Sequence, residues 1–504
     1  MSSIKKLAGQ TIWYGLSNVA ARFLNYLLSF LHVYLFDTSE YGDVSLFYAN
    51  AALLSILFTY GMETAYFRFV QQEKEEGAVY STGFMSLLGT TLILSTILII
   101  YRQPLADFMK IGDRPEWITW LSVIVAADTL TALPFAVLRQ QNRPRKYAMV
   151  KVANIFLTIG LQLFFFWLYP KLSGKTVDIG YVFLANLIAS LATLLFLGKE
   201  LLQVKWTFHP SLWKQMMVYA LPLIVVGFGG MINETIDRQL ILRFYEGTVE
   251  EAKSANGIYS ANYKLAILIV LFIQAFRMGA EPFFFQQAKD KNAPKTYARV
   301  MKFFVLACCL CFLFIVLFLD LWKSFITTRY PEFGFGIMVV PILALSKVFL
   351  GIYYNLSIWY KLTDKNMYGA LITIGGAAIT VVVNILLIPR IGYFGSAIAT
   401  FLCYGFMMVS SFILGQKFYP IPYAWRKLVA YIAIALFLFG VHQGIRTYVE
   451  LTWVVHLAGI ALFGLFVWFM GRVEWKEFSR MPLIGKFYRA QPMPQENAID
   501  PNYP

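Results

Sequence analysis

Apolar residues along this 504-residue chain gather in runs of 18 to 28, each closed by a short cluster of charged residues. About 20 apolar residues in an α-helix, rising 1.5 Å each, cross the ~30 Å hydrocarbon core of a bilayer. The pattern predicts fourteen such helices, near residues 10–36, 44–70, 79–101, 117–139, 147–169, 177–198, 213–245, 252–285, 296–322, 336–361, 367–389, 393–415, 427–447 and 451–472. Hydrocarbon offers no water to a backbone amide, and a helix satisfies its own. The expected fold class is therefore all-α, a polytopic integral membrane protein. The connecting loops are mostly under fifteen residues, too short for a catalytic domain. From Val473 to Pro504 the chain turns charged and then Pro-rich, as a cytoplasmic tail that lies on the membrane and then becomes disordered.

Composition sharpens the class. The chain is 59% hydrophobic and 14% charged, where a soluble domain carries roughly a quarter charged residues. The net charge of +15 does not point to nucleic acid, which needs a basic face on a water-exposed fold. Lys and Arg instead favour loops of one parity, 26 against 11, which places both termini in the cytoplasm. The first outside loop, Asp37 to Asp43, holds three acids and no base. Cys308, Cys309, Cys311 and Cys403 sit in apolar runs without CxxC spacing and read as small buried hydrophobes. Met1 to Gln10 leads into a helix without an A-x-A site, so no cleaved signal peptide is expected. His32, His209, His442 and His456 are scattered, with neither HExxH nor Walker-type spacing in the chain, so neither metal nor cofactor is expected.

The chain also repeats itself. Tyr41-Gly42-Asp43-Val44-Ser45-Leu46-Phe47-Tyr48-Ala49 resembles Asn256-Gly257-Ile258-Tyr259-Ser260-Ala261-Asn262-Tyr263-Lys264, 215 residues later. Leu138 to Phe166 likewise resembles Trp359 to Leu387. The organisation expected is an N-lobe over residues 1–205 (helices 1–6), a C-lobe over 206–416 (helices 7–12), two further helices in 417–472 and a tail over 473–504. Lobes with the same orientation imply an axis along the membrane normal, an arrangement that places transport sites at the repeat interface.

Several segments carry a family resemblance. Phe36 to Gly42 continuing through Gly61-Met62-Glu63-Thr64-Ala65-Tyr66-Phe67-Arg68 resembles the first hairpin of bacterial polysaccharide-lipid flippases. Ile236-Asp237-Arg238 with Gly257 to Lys264 resembles its counterpart in the second lobe, and Ile388-Pro389-Arg390-Ile391-Gly392 through Ala399-Thr400 is similar to the family's IP-x-x-G turn. The resemblance, to the multidrug/oligosaccharidyl-lipid/polysaccharide exporter superfamily, implies a V-shaped pair of bundles that alternates access. It implies a substrate in which an oligosaccharide, such as an O-antigen or capsule repeat unit, is linked to polyprenyl pyrophosphate. The expected setting is the bacterial inner membrane, with membrane lipids and polysaccharide-assembly proteins as partners. Two rivals remain: a cation-coupled drug exporter of the same superfamily, and a membrane glycan polymerase or ligase.

Moving a pyrophosphate through hydrocarbon calls for a hydrated cavity with fixed positive charge, and a cation at the bilayer centre costs about 2.5–3.5 kcal/mol. Six cations fall inside helices: Arg22, Lys151, Arg238, Lys264, Arg277 and Lys347. Lys151 and Arg277 lie within reach of a helix end and can snorkel. Arg22, Lys264 and Lys347, with Arg238 nearer the outside, are the candidates for substrate binding. Asp128 and Glu63 are candidates for coupling or gating: Asp128 as a partner of Lys347, Glu63 as a partner of Arg22 or Arg68. Asp237 points ~100° away from Arg238 on a helix and is not its automatic partner. Gly227, Gly229, Gly230, Gly375 and Gly376 are read as close helix packing or as bending points.

Overall fold

Residues 20, 22–71, 76–288, 290–449 and 451–479 are described by the computed structural model, which is helical with no strand among them. Twelve helices among these residues are long and apolar enough to cross a membrane. We number the helices α1 to α14. α1 covers 22–35, and α2 to α5 are Thr38–Phe69, Glu76–Ile100, Glu116–Gln140 and Pro144–Ser173. The shorter α6 is Gly180–Phe196, followed by α7, Pro210–Phe244, and α8, Val249–Phe285. α9 to α12 are Ala293–Val316, Val339–Leu362, Asn366–Ile391 and Tyr393–Phe418, and α13 and α14 are Trp425–Tyr448 and Thr452–Val473. The protein is thus a polytopic all-α membrane protein, and these helices follow the fourteen predicted runs. The start of the first run and the tail beyond residue 479 lie outside the described residues.

Local chemistry explains where the key helices begin and end. α2 opens on a capping box, in which the Asp37 carboxylate accepts from Glu40 N at 2.9 Å and Glu40 accepts from Asp37 N at 3.3 Å. α8 opens on another, Thr248 with Glu251, at 3.2 and 2.7 Å. Each box satisfies amides that no helical carbonyl can reach. Between α11 and α12 the IP-x-x-G turn ends at Gly392, whose φ of 60° and ψ of −143° suit a residue without Cβ. Gly229, Gly375 and Gly376 meet side chains of α11 or α12 closely, at 2.8 to 3.4 Å from where a Cβ would stand, as the packing reading expects.

The two repeat segments lie against each other. A Cβ on Gly42 would stand 2.2 Å from the carbonyl oxygen of Lys253, and one on Gly257 would stand 1.8 Å from that of Thr38. Lys253 and Thr38 are themselves separated by the 215-residue offset, so each glycine faces the equivalent of what the other faces. That reciprocity is the signature of a twofold relation. Thr38 and Ser254 (2.6 Å), Asn256 and the Gly42 carbonyl (3.1 Å), and Lys253 and Asp43 (3.0 Å) continue the contact. Residue numbers rise together along both helices, so α2 and α8 run parallel and in register.

The chain forms two compact units. One comprises Met1–Phe303 with Leu319–Tyr423, and the other Phe304–Phe318 with Ala424–Pro504. The second is built from the later part of α9 with α13 and α14. Within it, His442 Nε2 lies 3.2 Å from the Val455 carbonyl oxygen, and the Tyr431 hydroxyl donates to the buried Glu474 carboxylate at 2.5 Å.

Candidate functional site: a polar cavity in the first unit

The first unit encloses a cavity of about 780 Å³. Most of its wall comes from five of the first six helices, α1, α2, α4, α5 and α6, each of which shows it polar residues on one face. α1 presents Asn25, Ser29 and His32; α5 presents Lys151, Asn154 and Thr158; α6 presents Asn186, Ser190 and Thr193. α2 contributes Ser45, Tyr48, Ser55, Thr59 and Glu63, and α4 contributes Asp128, Thr131 and Arg139. Residues three or four apart share one helix face, so each stripe points one way. α7 and α8 supply the facing edge with Glu234, Thr235, Arg238, Tyr263, Lys264 and Ile267.

Cross-links hold these stripes in place. His32 Nε2 and Gln162 Oε1 are 2.7 Å apart, joining α1 to α5. Asn154 donates to the Ala189 carbonyl at 3.1 Å and to Thr193 at 2.9 Å, joining α5 to α6. Asn186 donates to the Tyr48 hydroxyl at 3.2 Å, and Gln239 to Asn50 at 2.6 Å. At the end where α2 and α8 begin, Ser45 donates to Ser260 at 2.7 Å beside the glycine contact, so the wall is shut there.

The predicted site residues do not all share this cavity. Lys264 and Arg238 line it, as do Asp128 and Glu63. Arg22 is exposed and lies one turn before Asn25 on the same face of α1, beyond the lining. Lys347 is fully buried behind the wall. Its ammonium donates to both oxygens of Glu234 at 3.1 Å and also to the Tyr263 hydroxyl. Tyr263 and Tyr404 donate to the same carboxylate at 2.8 and 2.7 Å. Lys347 therefore pairs with Glu234 and not with Asp128.

Three further expectations are corrected. Arg238 does pair with its neighbour: Nη1 reaches Asp237 Oδ1 at 2.5 Å and the Glu234 carbonyl at 2.6 Å. The guanidinium stem is long enough to fold back across the ~100° between adjacent positions. The Asp237 carboxylate turns to meet it, accepting also from Arg238 N at 3.0 Å and from Tyr259 at 2.6 Å. Glu63 pairs with Arg139 rather than with Arg22 or Arg68, while Arg68 stacks on the Tyr219 ring at 4.3 Å. Lys151, read as a snorkelling residue, lines the cavity with Nζ 4.1 Å over the Phe135 ring. Arg277 pairs with Glu281 at 3.2 Å. Sequence reasoning weighed cations one at a time and passed over the stripes, although the i, i+3, i+7 spacing of Lys151, Asn154 and Thr158 is visible in the sequence.

Among the described residues no group of His, Cys, Asp or Glu is arranged to hold a metal ion. What the cavity offers is hydroxyls and amides interspersed with Glu63, Asp128, Arg139 and Lys151 on one wall, and Glu234, Arg238 and Lys264 on the facing edge, groups suited to holding a polar solute.

Known proteins share this architecture. The lipid II flippase MurJ, in an inward closed conformation, superposes with a TM-score of 0.69 at 14% identity, covering 92% of this chain and 99% of that one. An inward-facing multidrug resistance MATE family transporter of the MOP superfamily gives 0.60 at 16% identity, over 81% of this chain and 94% of its own. An uncharacterized membrane protein of Methanocaldococcus jannaschii is 22% identical over 428 residues, 81% of this chain and 97% of its own length. The profile of the family described as Polysaccharide biosynthesis protein matches residues 7–288, more than half of the chain. The chain belongs to the polysaccharide biosynthesis protein family and has the fold of the MOP-superfamily flippases and transporters.

Proposed function

We propose that this protein is a flippase that passes an oligosaccharide linked to polyprenyl pyrophosphate, such as an O-antigen or capsule repeat unit, from the inner to the outer face of a bacterial cytoplasmic membrane. The observation that carries the reading is the division of one cavity into a hydroxyl- and amide-rich wall and an edge bearing Arg238 and Lys264. Sugar hydroxyls exchange water for the first, and a pyrophosphate gains charge-assisted hydrogen bonds at the second. Lys264 is the leading anion contact, since among the described residues no ion pair occupies it. Arg238 shares its charge with Asp237 and assists, Arg22 extends the α1 stripe toward the mouth, and Lys347 acts from behind by fixing Glu234. The two six-helix halves would part at the α2–α8 contact to alternate access. A cationic-drug exporter is the weaker reading, because Glu63 and Glu234 are already engaged by Arg139 and Lys347.

Complementation tests this. The gene is placed in strains that each lack one lipid-linked glycan flippase, and surface polysaccharide is scored. Restoration by the wild type, and its loss in Lys264→Ala at equal membrane abundance, is the expected result. No restoration in any strain, with the protein present in the membrane, overturns the reading.

A further inference from the structure

We propose that Asp128 is the specificity-determining residue of a saccharide subsite on the α4–α5–α6 wall, which takes a neutral sugar and excludes an acidic one. The inference rests on the flippase reading and adds to it what kind of glycan is carried.

A carboxylate within a membrane-spanning helix is costly, yet Asp128 is exposed to the cavity and surrounded elsewhere by protein. Among the described residues no ion pair engages it: Lys151 lies near it on α5, but the ammonium rests on the Phe135 ring. The Ser190 hydroxyl is a hydrogen-bond partner of its carboxylate. The other two acids of the cavity are neutralised by Arg139 and Lys347, so Asp128 stands apart as a carboxylate with acceptor capacity left for a guest.

Its surroundings have spare capacity of the matching kind. Asn154 uses its amide NH₂ on α6 and keeps its carbonyl oxygen. Tyr48 accepts from Asn186 and keeps its hydroxyl proton. Neighbouring hydroxyls on a sugar ring donate to the two oxygens of one carboxylate, in short charge-assisted bonds. Amide and tyrosine groups complete a mixed donor and acceptor set around the same ring. A uronic acid or other acidic sugar would instead bring a like charge against Asp128, a repulsive element that discriminates where attraction alone does not. The basic edge at Arg238 and Lys264 belongs to other helices, which lets the pyrophosphate and the first sugars occupy separate walls.

Binding to the purified full-length protein tests this with three probes: farnesyl diphosphate alone, and farnesyl diphosphate joined to glucose or to glucuronic acid. The wild type is expected to bind the glucose probe at least about tenfold more tightly than the glucuronic acid probe. The two should differ by less than about threefold in Asp128→Asn, and the preference should persist in Asp128→Glu, which keeps the charge. Equal binding of the two sugar probes by the wild type, with farnesyl diphosphate bound, overturns this inference and leaves the flippase reading standing. A preference that survives Asp128→Asn also overturns it. So does a response to sodium or proton concentration that Asp128→Asn abolishes while sugar preference is intact, which would make the residue a cation site. No binding of any diphosphate probe removes the flippase reading and this inference together.

Discussion

Ser45 and Ser260 occupy equivalent positions of the internal repeat, and their hydroxyls meet at 2.7 Å. Equivalent residues touch one another only where a twofold axis passes between them. Gly42 and Gly257, one turn earlier, meet in the same way. Two such pairs in succession place the axis along the helices rather than across them, between parallel α2 and α8.

A reversible lock follows. In a protein whose own cysteines (Cys308, Cys309, Cys311 and Cys403) are replaced, Ser45→Cys with Ser260→Cys should form a disulfide under mild oxidation, because the side-chain atoms are already in reach. Transport should stop on oxidation and return on reduction. Undiminished transport by the cross-linked protein would show that this contact does not open during the cycle.

Gly257→Ala should be destabilising, because its methyl would fall 1.8 Å from the Thr38 carbonyl oxygen and backbone must move. Overpacking of this kind costs about 1–3 kcal/mol. Gly42→Ala should act in the same direction through the Lys253 carbonyl. Thermal unfolding of the two purified variants measures both effects, and unaltered midpoints would contradict the close approach.

The buried pair makes a sharper forecast. Lys347→Met should lower stability by about 3 kcal/mol, since it strands the Glu234 carboxylate with its tyrosine donors alone. Adding Glu234→Gln should recover much of the loss, whereas adding Asp128→Asn should recover none. Membrane abundance and thermal midpoint of the three proteins distinguish the outcomes; rescue by Asp128→Asn would mean that the two residues are coupled after all.

Glu200 should behave as a clamp. Its carboxylate, inaccessible to solvent, binds Arg143 at 3.0 Å and Lys146 at 2.5 Å and so fixes the start of α5. Glu200→Ala should lower the yield of folded protein, while Arg143→Ala alone should be mild because that side chain is half-exposed and Lys146 remains. Expression and gel-filtration profiles decide.

Orientation is open to a direct measurement. The 26-to-11 bias of Lys and Arg predicts that a cysteine at Ser39 reacts with an impermeant thiol reagent in intact spheroplasts. Labelling only after lysis would reverse the predicted topology.

The helices were legible because bilayer thickness imposes a length that composition reports directly. The 215-residue offset was legible too, and the Gly42–Gly257 contact keeps that register. What the sequence could not supply was the rotation of each helix about its own axis. Lys264 and Lys347 look alike as embedded cations, yet one faces the cavity and the other is turned toward Glu234, 113 residues away in the chain. Arg139 stands at the very end of its apolar run, and only packing of α4 against α2 brings it to Glu63. The hydroxyl and amide stripes were in plain sight, but Ser, Thr and Asn at helical spacing carry no sign of their own until a cavity is seen beside them.

The matched acids and bases behind Glu234 also bear on how the protein meets a changing cytoplasm. Lys347, Arg238 and three tyrosine hydroxyls serve Glu234 and Asp237 as counter-ions and donors that never leave. Dissolved ions screen exposed charges over roughly 8 Å at physiological strength but act less on partly buried pairs. When osmotic stress concentrates or dilutes the cell's salts, this half of the wall keeps its arrangement. Asp128 and Lys151, open to the cavity water, are the groups whose pull on a passing solute follows the salt.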